Sequence, residues 1–275
     1  MPEASFDAAA FRRFEFLGWD ALHAGYHRQW AHLTTQIAPA LLEGAGVVAG
    51  TWLLDVASGP GYIAAAAAEC GARPIGLDFA PNMVRLATAS YPTLSFQQGD
   101  AEALPFPDGA FDAVTINFGV LHFPDADRAL AEALRVLRPG GRLAFTNWAG
   151  PEGSAIGIAM AAIAEKGKLD VKLPAGTPVF RFADHAECAR TLGGIGFSDV
   201  RSGNHQLTWR LPRPFALMEV FREATARMSG LIGAQDPADL PSISAAMTAG
   251  CQRYVNGDSA FLPMPCVLTA ARKPG

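Results

Sequence analysis

Short apolar segments alternate with helical segments between residues 51 and 147, and this alternation indicates the fold. The apolar segments predict five strands, at residues 51–57, 73–78, 94–98, 111–117 and 142–147. Helical patterns lie between them at 61–70, 81–90 and 126–137. Strands that alternate with helices through short loops are typical of a doubly wound, parallel α/β sheet with right-handed crossovers.

The segment before this core is rich in aromatic residues and is predicted to be helical. Residues 6–30 contain seven of the 26 aromatic side chains. Apolar residues then recur at helical spacing up to residue 41. Residues 1–48 are therefore predicted to form helices that either pack on the core or close a pocket as a lid. The candidates to face such a pocket are His23, Tyr26, His27 and Trp30.

The segment after the core predicts helices at 154–166 and 183–192, separated by a loop, and strands at 198–211 and 264–271. A helical insert over 212–258 cannot join the sheet and is expected to cap one edge. The chain is read as one domain, with a core formed by 50–211 and 262–272. Apolar side chains of the insert either pack in the core or form an adaptable substrate wall; they are Phe215, Met218, Phe221, Met228 and Met247.

Composition excludes several classes of protein. The 275 residues carry a formal net charge of −4 and no block of lysine and arginine, so no nucleic-acid partner is expected. The first seven residues lack the features of a signal peptide, and the longest apolar run is about half a membrane span. The four cysteines show no metal-ligand spacing. We therefore expect a cytoplasmic protein without a metal site or a membrane partner, as a monomer or a homodimer.

The segment LLDVASGPGY at residues 53–62 is the first candidate for chemistry. It predicts a buried strand that turns tightly into a helix, with Gly59 and Gly61 allowing a ligand to approach the backbone. In an open α/β sheet, a nucleotide-like ligand binds at this edge. Dinucleotide-binding proteins and methyltransferases share such turns. The spacing here is Gly59-x-Gly61, and Ala64 stands where a dinucleotide fold has its third glycine.

Polar residues follow the next three strands. Asp78 ends the second strand, where a carboxylate can accept hydrogen bonds from both hydroxyls of a ribose. The turn GDAE at 99–102 is placed to read an adenine edge, and NFGVLH at 117–122 ends the fourth strand. Structural alternatives stay open: Asp78 as a helix cap, Asp100 as a loop-bending residue and His122 as a cap of the next loop. Asp55, likewise, either contacts the ligand or only bonds loop amides and orients the first turn.

These motifs stand in one order with LPFPD at 104–108, FDAV at 111–114 and LRPGG at 137–141, the last of which we interpret as a turn. That order resembles the class I S-adenosylmethionine-dependent methyltransferases over residues 50–148. Within them it is most similar to the small-molecule group that resembles the ubiquinone/menaquinone-biosynthesis C-methyltransferases. The resemblance implies a seven-stranded, mostly parallel sheet in the order 3-2-1-4-5-7-6, with strand 7 antiparallel, and S-adenosyl-L-methionine as cofactor.

The resemblance also implies a set of cofactor-binding residues. The backbone at Ala57, Ser58, Gly59 and Gly61 would hold the methionine part, although Ala57 replaces the family's commonest glycine. Asp78 would bind the ribose, and Phe79 and Met83 would flank the adenine. Asp100, Ala101 and Glu102 would lie at the adenine's amino edge, and Asn117, Phe118 and His122 would lie near the homocysteine chain.

Methyl transfer needs alignment of the acceptor more than it needs acid–base groups, because the sulfonium is already activated. A general base is required only for a protonated acceptor, and His122 and His23 are the catalytic candidates, with His27 and His205 as further possibilities. The predicted function is S-adenosylmethionine-dependent methylation of a small, apolar or aromatic metabolite. The alternatives are an NAD-dependent oxidoreductase and a non-catalytic S-adenosylmethionine-binding protein.

Overall fold

The computed structural model describes residues 6–213 and 215–275. Residues 1–5, part of the segment predicted to lack a signal peptide, lie outside the described residues. The helices are α1 (Ala8–Gln29), α2 (Ala31–Thr34), α3 (Ala38–Gly44), α4 (Tyr62–Glu69), α5 (Pro81–Ser90), α6 (Ala126–Val136), α7 (Ala155–Lys166), α8 (His185–Ile195), α9 (Leu217–Ala224), α10 (Ala226–Gly233) and α11 (Leu240–Cys251). The strands are β1 (Trp52–Val56), β2 (Arg73–Asp78), β3 (Ser95–Gln98), β4 (Phe111–Ile116), β5 (Leu137–Trp148), β6 (Ser198–Leu211), β7 (Val255–Asn256) and β8 (Ser259–Arg272).

The strands form one sheet in the order β3-β2-β1-β4-β5-β8-β6, and β7 pairs with β8. Strands β1 to β5 are parallel to one another, whereas β8 is antiparallel to both β5 and β6. The predicted fold class and strand order are therefore confirmed. The numbering differs because the two-residue strand β7 precedes the strand that we predicted as the seventh.

Helices cover both faces of the sheet. Successive residues of a strand point to opposite sides, so each central strand contributes to the apolar clusters on both faces. In β1, Leu53 packs into one apolar cluster with α3 and α4, and Leu54 packs into a second cluster with α6 and α8. In β5, Ala144 belongs to the first of these clusters and Phe145 to the second. This burial on both faces explains why the central strands read as continuous apolar runs.

Helix α1 lies across the carboxyl ends of the strands. It begins after Asp7, whose carboxylate accepts hydrogen bonds from the amides of Ala9 and Ala10 at 3.1 and 3.0 Å. The helix contacts α5 on one side and α9 and α10 on the other. The predicted N-terminal helices are present, and the helical insert contributes to the same side of the molecule.

The prediction for residues 138–141 was wrong. They were predicted as a turn that precedes the fifth strand, but they lie within β5. The ladder pairs Phe111 with Leu137 and resumes between Ala113 and Arg142, so the intervening residues bulge out of the pairing. Gly140 has a φ of +78°, which suits glycine in such a bulge.

Two other boundaries differ from the prediction because tertiary contacts set them. Strand β8 begins at Ser259 rather than at residue 264, since it pairs with β6 along almost its full length. Helix α8 runs from His185 to Ile195, with the Asp184 carboxylate capping its start and Gly196 ending it at a φ of +116°.

The insert between β6 and β8 folds into α9, α10 and α11, as predicted, but the expectation that it stays out of the sheet was wrong for residues 255 and 256, which form β7 and pair with β8. Of its apolar residues, Phe221, Met228 and Met247 are buried, whereas Phe215 is 58% exposed. No helix within the described residues is both long enough and apolar enough to cross a membrane.

Replacing Phe145 with alanine should lower the free energy of unfolding by about 3–5 kcal/mol, because the fully buried ring would leave a cavity beside Phe182. The measurement is urea denaturation followed by circular dichroism. Phe261→Ala is the matched control, since that ring is 40% exposed and its removal should cost much less. Equal losses in the two variants would contradict the described core.

Candidate functional site

A cavity of about 400 Å³ opens at the carboxyl ends of the parallel strands, beneath α1. In an open α/β sheet this edge is the usual ligand site. One half of the cavity is lined by the residues that follow β1 to β4, and these include most of the predicted cofactor residues: Ala57, Gly59, Asp78, Phe79, Met83, Asp100, Ala101, Glu102, Asn117, Phe118 and His122. The structure therefore brings eleven of the thirteen predicted residues together.

The turn after β1 has an unusual backbone conformation. Ala57, Gly59 and Gly61 all have positive φ angles, of 54°, 50° and 87°. A Cβ atom on Gly59 would meet no atom within 4 Å, so this glycine faces open space. A Cβ atom on Gly61 would lie 2.6 Å from the ring of Phe96. Gly61 is thus required for packing against β3, and neither it nor Ser58 lines the cavity.

The Asp78 carboxylate joins the turn after β1 to the start of α5. Its Oδ2 accepts a hydrogen bond from the Gly59 amide at 2.8 Å, and its Oδ1 accepts one from the Ala80 amide at 2.9 Å. Ala80, rather than Asp78, occupies the cap position of α5. Burial raises the pKa of Asp78 to about 6. Asp78 is therefore a buried acceptor at the floor of the cavity.

Asp55 occupies a different position. Its carboxylate is buried, accepts a hydrogen bond from the Thr115 hydroxyl at 2.9 Å and does not line the cavity. Burial raises the pKa of Asp55 to about 7. Its contact lies between β1 and β4, below the turn, which agrees with an orienting role for this residue.

The acidic turn after β3 is held by a cation from α1. Arg12 donates to the Asp100 carboxylate and to the Glu102 carboxylate, each at 2.5 Å. Asp100 also accepts a hydrogen bond from the Glu102 amide at 2.9 Å, so it does bend this loop. Glu102 in turn accepts one from the Asp125 amide at 2.9 Å. Both carboxylates are thus engaged by the protein.

Further contacts fix α1 over the same half of the cavity. The Asp20 carboxylate accepts a hydrogen bond from the Asn82 amide at 2.8 Å, and the rings of Phe16 and Phe79 meet edge to face at 5.8 Å. Together with Arg12, these contacts span about two turns of the helix. A ligand beside Asp78 would therefore be enclosed beneath α1.

The segment after β4 contributes backbone and an aromatic ring. The Asn117 side chain donates to the Thr34 carbonyl at 3.0 Å and accepts from the Thr146 hydroxyl at 2.8 Å. Phe118 has a φ of +54°, and its ring stacks on Trp148 with centroids 3.9 Å apart. The Asn117 side chain therefore holds the surrounding segments together, and Phe118 forms a wall of the cavity.

His122 lines the cavity and pairs with an acid that the sequence analysis did not identify. Its Nδ1 lies 2.9 Å from Oε2 of Glu15, and the indole Nε1 of Trp19 donates to the same oxygen at 2.9 Å. Glu15 is 1% exposed. The only sequence signal for it is an acid placed between Phe14 and Phe16 in an aromatic segment. It is the one buried carboxylate on α1.

The other histidines lie elsewhere. His23 contacts the Asp20 carbonyl at 2.8 Å and His27 contacts the Tyr62 hydroxyl at 2.5 Å, and neither lines the cavity. His205 lies at a separate surface depression beside Arg201. Of the four lid candidates, only Tyr26 and Trp30 face the cavity. Burial raises the pKa of Tyr26 to about 12, so its phenol stays protonated near neutral pH.

The second half of the cavity is apolar. Its walls come from the end of α1, from β5 and α7, from the loop before α8, and from α9 and α10. The wall residues are Trp30, Trp148, Met160, Leu173, Phe180, Phe221, Met228 and Leu231. Phe221 and Met228 thus serve as both core and wall, whereas Met247 is core only and the prediction was wrong for the exposed Phe215. This half suits an apolar or aromatic molecule.

Residues 54–145 match the family model described as "Methyltransferase domain". The chain is 39% identical over 132 residues to a demethylmenaquinone methyltransferase of Renibacterium salmoninarum, covering 48% of this chain and 53% of that protein. It is 40% identical over 146 residues to the protein of the same name from Beutenbergia cavernae, covering 53% and 57%. The chain therefore spans about half the length of the curated relatives that it matches.

Solved structures show the same fold at low identity. The cyclase SpnF aligns with a TM-score of 0.61 at 20% identity, covering 99% of this chain and 100% of that one. The phosphoethanolamine N-methyltransferase 2 of Haemonchus contortus, in complex with S-adenosyl-L-methionine, aligns with a TM-score of 0.57 at 18% identity, covering 97% and 60%. The matches confirm the resemblance and the fold class that the sequence indicated.

Arg12→Gln should loosen α1, because it removes two charge-assisted hydrogen bonds to the acidic turn. Arg12 is partly exposed, so we expect a loss of about 1 kcal/mol, or about fivefold faster amide exchange in the first turns of α1. Hydrogen–deuterium exchange with mass spectrometry measures this. Arg13→Gln, at an exposed position of the same helix, is the control, and an identical response in both variants would contradict the role given to Arg12.

Proposed function

We propose that this chain, in which a methyltransferase domain spans residues 54–145, is an S-adenosyl-L-methionine-dependent methyltransferase that acts on a small, apolar or aromatic acceptor. The observation that carries the proposal is the buried Asp78 carboxylate, fixed by two backbone amides beside the open face of Gly59. In this proposal the whole chain works as one methyltransferase domain, with residues 1–48 as lid and 212–258 as cap.

The residues of the cavity fit the cofactor. A carboxylate offers about four lone-pair sites, and two at Asp78 are used by Gly59 and Ala80, which leaves two for the hydroxyls of a ribose. Phe79 and Met83 supply apolar flanks for an adenine, and Gly59 leaves space for a ligand at the backbone. When bound, the cofactor supplies a methyl group on a positively charged sulfur.

The remaining predicted residues contribute through their backbone or through packing. Arg12 engages Asp100 and Glu102, so their turn would meet the adenine through Ala101 and main-chain atoms. The Asn117 amide is engaged by Thr34 and Thr146, and it too would contribute main-chain atoms. Ser58 and Gly61 hold the shape of the first turn.

The chain's main contribution to the reaction is alignment in a dry site. Helix α1 covers the cofactor half, and the stacked rings of Phe118 and Trp148 lie where the two halves meet. An acceptor held against these rings would be close to the reactive end of the cofactor. Holding both reactants in one orientation can contribute about 7–11 kcal/mol to lowering the barrier.

The acceptor is proposed from the cavity and not from the relatives. The family model ends at residue 145, before Trp148 and the helices that form the apolar walls. The similarity to demethylmenaquinone methyltransferases is consistent with a ring-shaped acceptor, and the aromatic walls support one. Neither the family model nor the relatives named above point to an NAD-dependent oxidoreductase.

Asp78→Ala should weaken binding of S-adenosyl-L-homocysteine by about tenfold to a hundredfold, because hydrogen bonds to a charged group are lost. Isothermal titration calorimetry measures the affinity. Asp258→Asn, at an exposed hairpin position, is the control and should bind as the wild type does. Unchanged affinity in the Asp78 variant, or tighter binding of NAD than of S-adenosyl-L-homocysteine, would argue against the proposal.

The same affinity should depend on pH in the wild type. Because burial raises the pKa of Asp78 to about 6, the carboxylate gains a proton as pH falls through that value and loses acceptor capacity. Binding should therefore weaken below about pH 6 in the wild type, whereas the affinity of Asp78→Asn should be low and flat across this range.

Catalysis itself is tested by transfer of an isotope-labelled methyl group from S-adenosyl-L-methionine into a fractionated pool of small metabolites. We expect label in an apolar, ring-containing fraction and none with the Asp78→Ala variant at low cofactor concentration. Tight cofactor binding without transfer into any fraction would favour the non-catalytic alternative.

A further inference from the structure

We infer that His122, positioned by the buried Glu15, is the base of this reaction and that the methyl acceptor is an acidic compound, a phenol or an enol. The inference rests on the proposed methyl transfer. It adds Glu15, which lies outside the matched methyltransferase domain, to the site, and it narrows the acceptor from an apolar molecule to one that gives up a proton.

The contact between the two side chains orients the imidazole. Glu15 is almost fully buried and its Oε2 accepts from both His122 Nδ1 and Trp19 Nε1, each at 2.9 Å. The Trp19 ring also meets the His122 ring edge to face, with centroids 4.9 Å apart. The imidazole is thus held on one edge by a carboxylate and on one face by an indole.

This arrangement selects the tautomer of His122. An ionised carboxylate only accepts hydrogen bonds, so the proton of the neutral imidazole lies on Nδ1. The lone pair is then on Nε2, which has no hydrogen-bond partner within residues 6–213 and 215–275. His122 is partly exposed and lines the cavity beside Phe118, so Nε2 is the basic atom available there. Glu15 is a positioning residue, and His122 would touch the acceptor.

Two carboxylates lie beside this imidazole. Asp78 lies on the cavity floor, where burial raises its pKa and the nearby His122 partly offsets that rise. Glu15 is in direct contact with His122, and Arg12, a cation of α1 that also lines the cavity, is engaged by Asp100 and Glu102. An imidazolium would therefore lie between two carboxylates.

The same features favour a neutral O–H acceptor over an ammonium. Oε2 of Glu15 is already engaged by Trp19 and His122. The walls beyond His122 are aromatic and aliphatic, and a free charge would lose its hydration there without compensation. A neutral imidazole offers one acceptor site, which matches a single hydroxyl donor.

The step balances without any further reagent. The O–H bond of the acceptor breaks and its proton moves to Nε2 of His122. The electron pair left on the acceptor, at oxygen or at the conjugated carbon of an enol, forms the new bond to the methyl carbon. The carbon–sulfur bond breaks with its electrons on sulfur, which changes the sulfonium to a neutral thioether. The proton then leaves His122 for solvent.

A spectroscopic experiment tests the pair without knowledge of the natural acceptor. The probe is 4-nitrophenol, whose phenolate absorbs visible light while the phenol does not. It is added to protein saturated with S-adenosyl-L-homocysteine, at a pH where the free probe is protonated. We expect a phenolate band on binding to the wild type. The band should be lost in His122→Gln and reduced by about tenfold in Glu15→Gln, since the orienting charge is removed.

Two controls isolate the effect. His185→Gln changes an exposed histidine on α8 and should give the wild-type band. The methyl ether 4-nitroanisole has nearly the same shape but no proton, and it should bind more weakly than 4-nitrophenol. A purely structural role of Glu15 would change folding stability without changing the fraction of bound probe that is ionised.

The outcomes separate this inference from the proposed function. If S-adenosyl-L-homocysteine binds but 4-nitrophenol does not bind, or binds only as the phenol, the inference is overturned and the methyltransferase proposal stands. A wild-type band in His122→Gln also overturns it. If S-adenosyl-L-homocysteine itself does not bind, the proposed function fails first.

Discussion

The hydrogen bonds of the Asp78 carboxylate to the amides of Gly59 and Ala80 hold the site together. They tie the turn after β1 to the turn after β2, so two neighbouring loops of the sheet form one rigid floor. A buried carboxylate needs such partners, because an unpaired charge would be costly away from water. Asp78 also lines the cavity, and in the proposed function the same group serves both stability and ligand binding.

The site combines residues inside the matched methyltransferase domain with residues outside it. Residues 54–145, which match the methyltransferase domain, supply the floor. The roof is α1, which reaches the acidic turn through Arg12 and the loop after β4 through Glu15. The apolar walls come from β5 and from helices that follow it. The floor thus lies inside the matched domain, whereas the roof and the apolar walls lie mostly outside it.

The stack of Phe118 on Trp148 lies where these parts meet. Phe118 adopts a positive φ after β4, and its amide is fixed by the Thr146 hydroxyl at 2.8 Å. The ring therefore has little freedom and forms a flat boundary between the cofactor half and the apolar half. Around it, Trp30, Trp148 and Phe221 pack edge to face or tilted, which fills the space with aromatic rings. Such a wall is flat and aromatic, which fits the acceptor of the proposed function.

The sequence by itself determined the alternation of strands and helices, the doubly wound sheet and the positions of Asp78 and the turns after β1, β3 and β4, because apolar periodicity and glycine spacing are local properties of the chain. Only the tertiary structure decided which side chains meet. Glu15 and His122 are 107 residues apart, and their contact depends on how α1 is rotated on the sheet. That rotation also turned His23 and His27 away from the cavity, and the packing of Phe96 gave Gly61 its role. The periodicity of a sequence indicates which side chains are buried. Which of those side chains contact one another is decided only when separate helices and strands pack together.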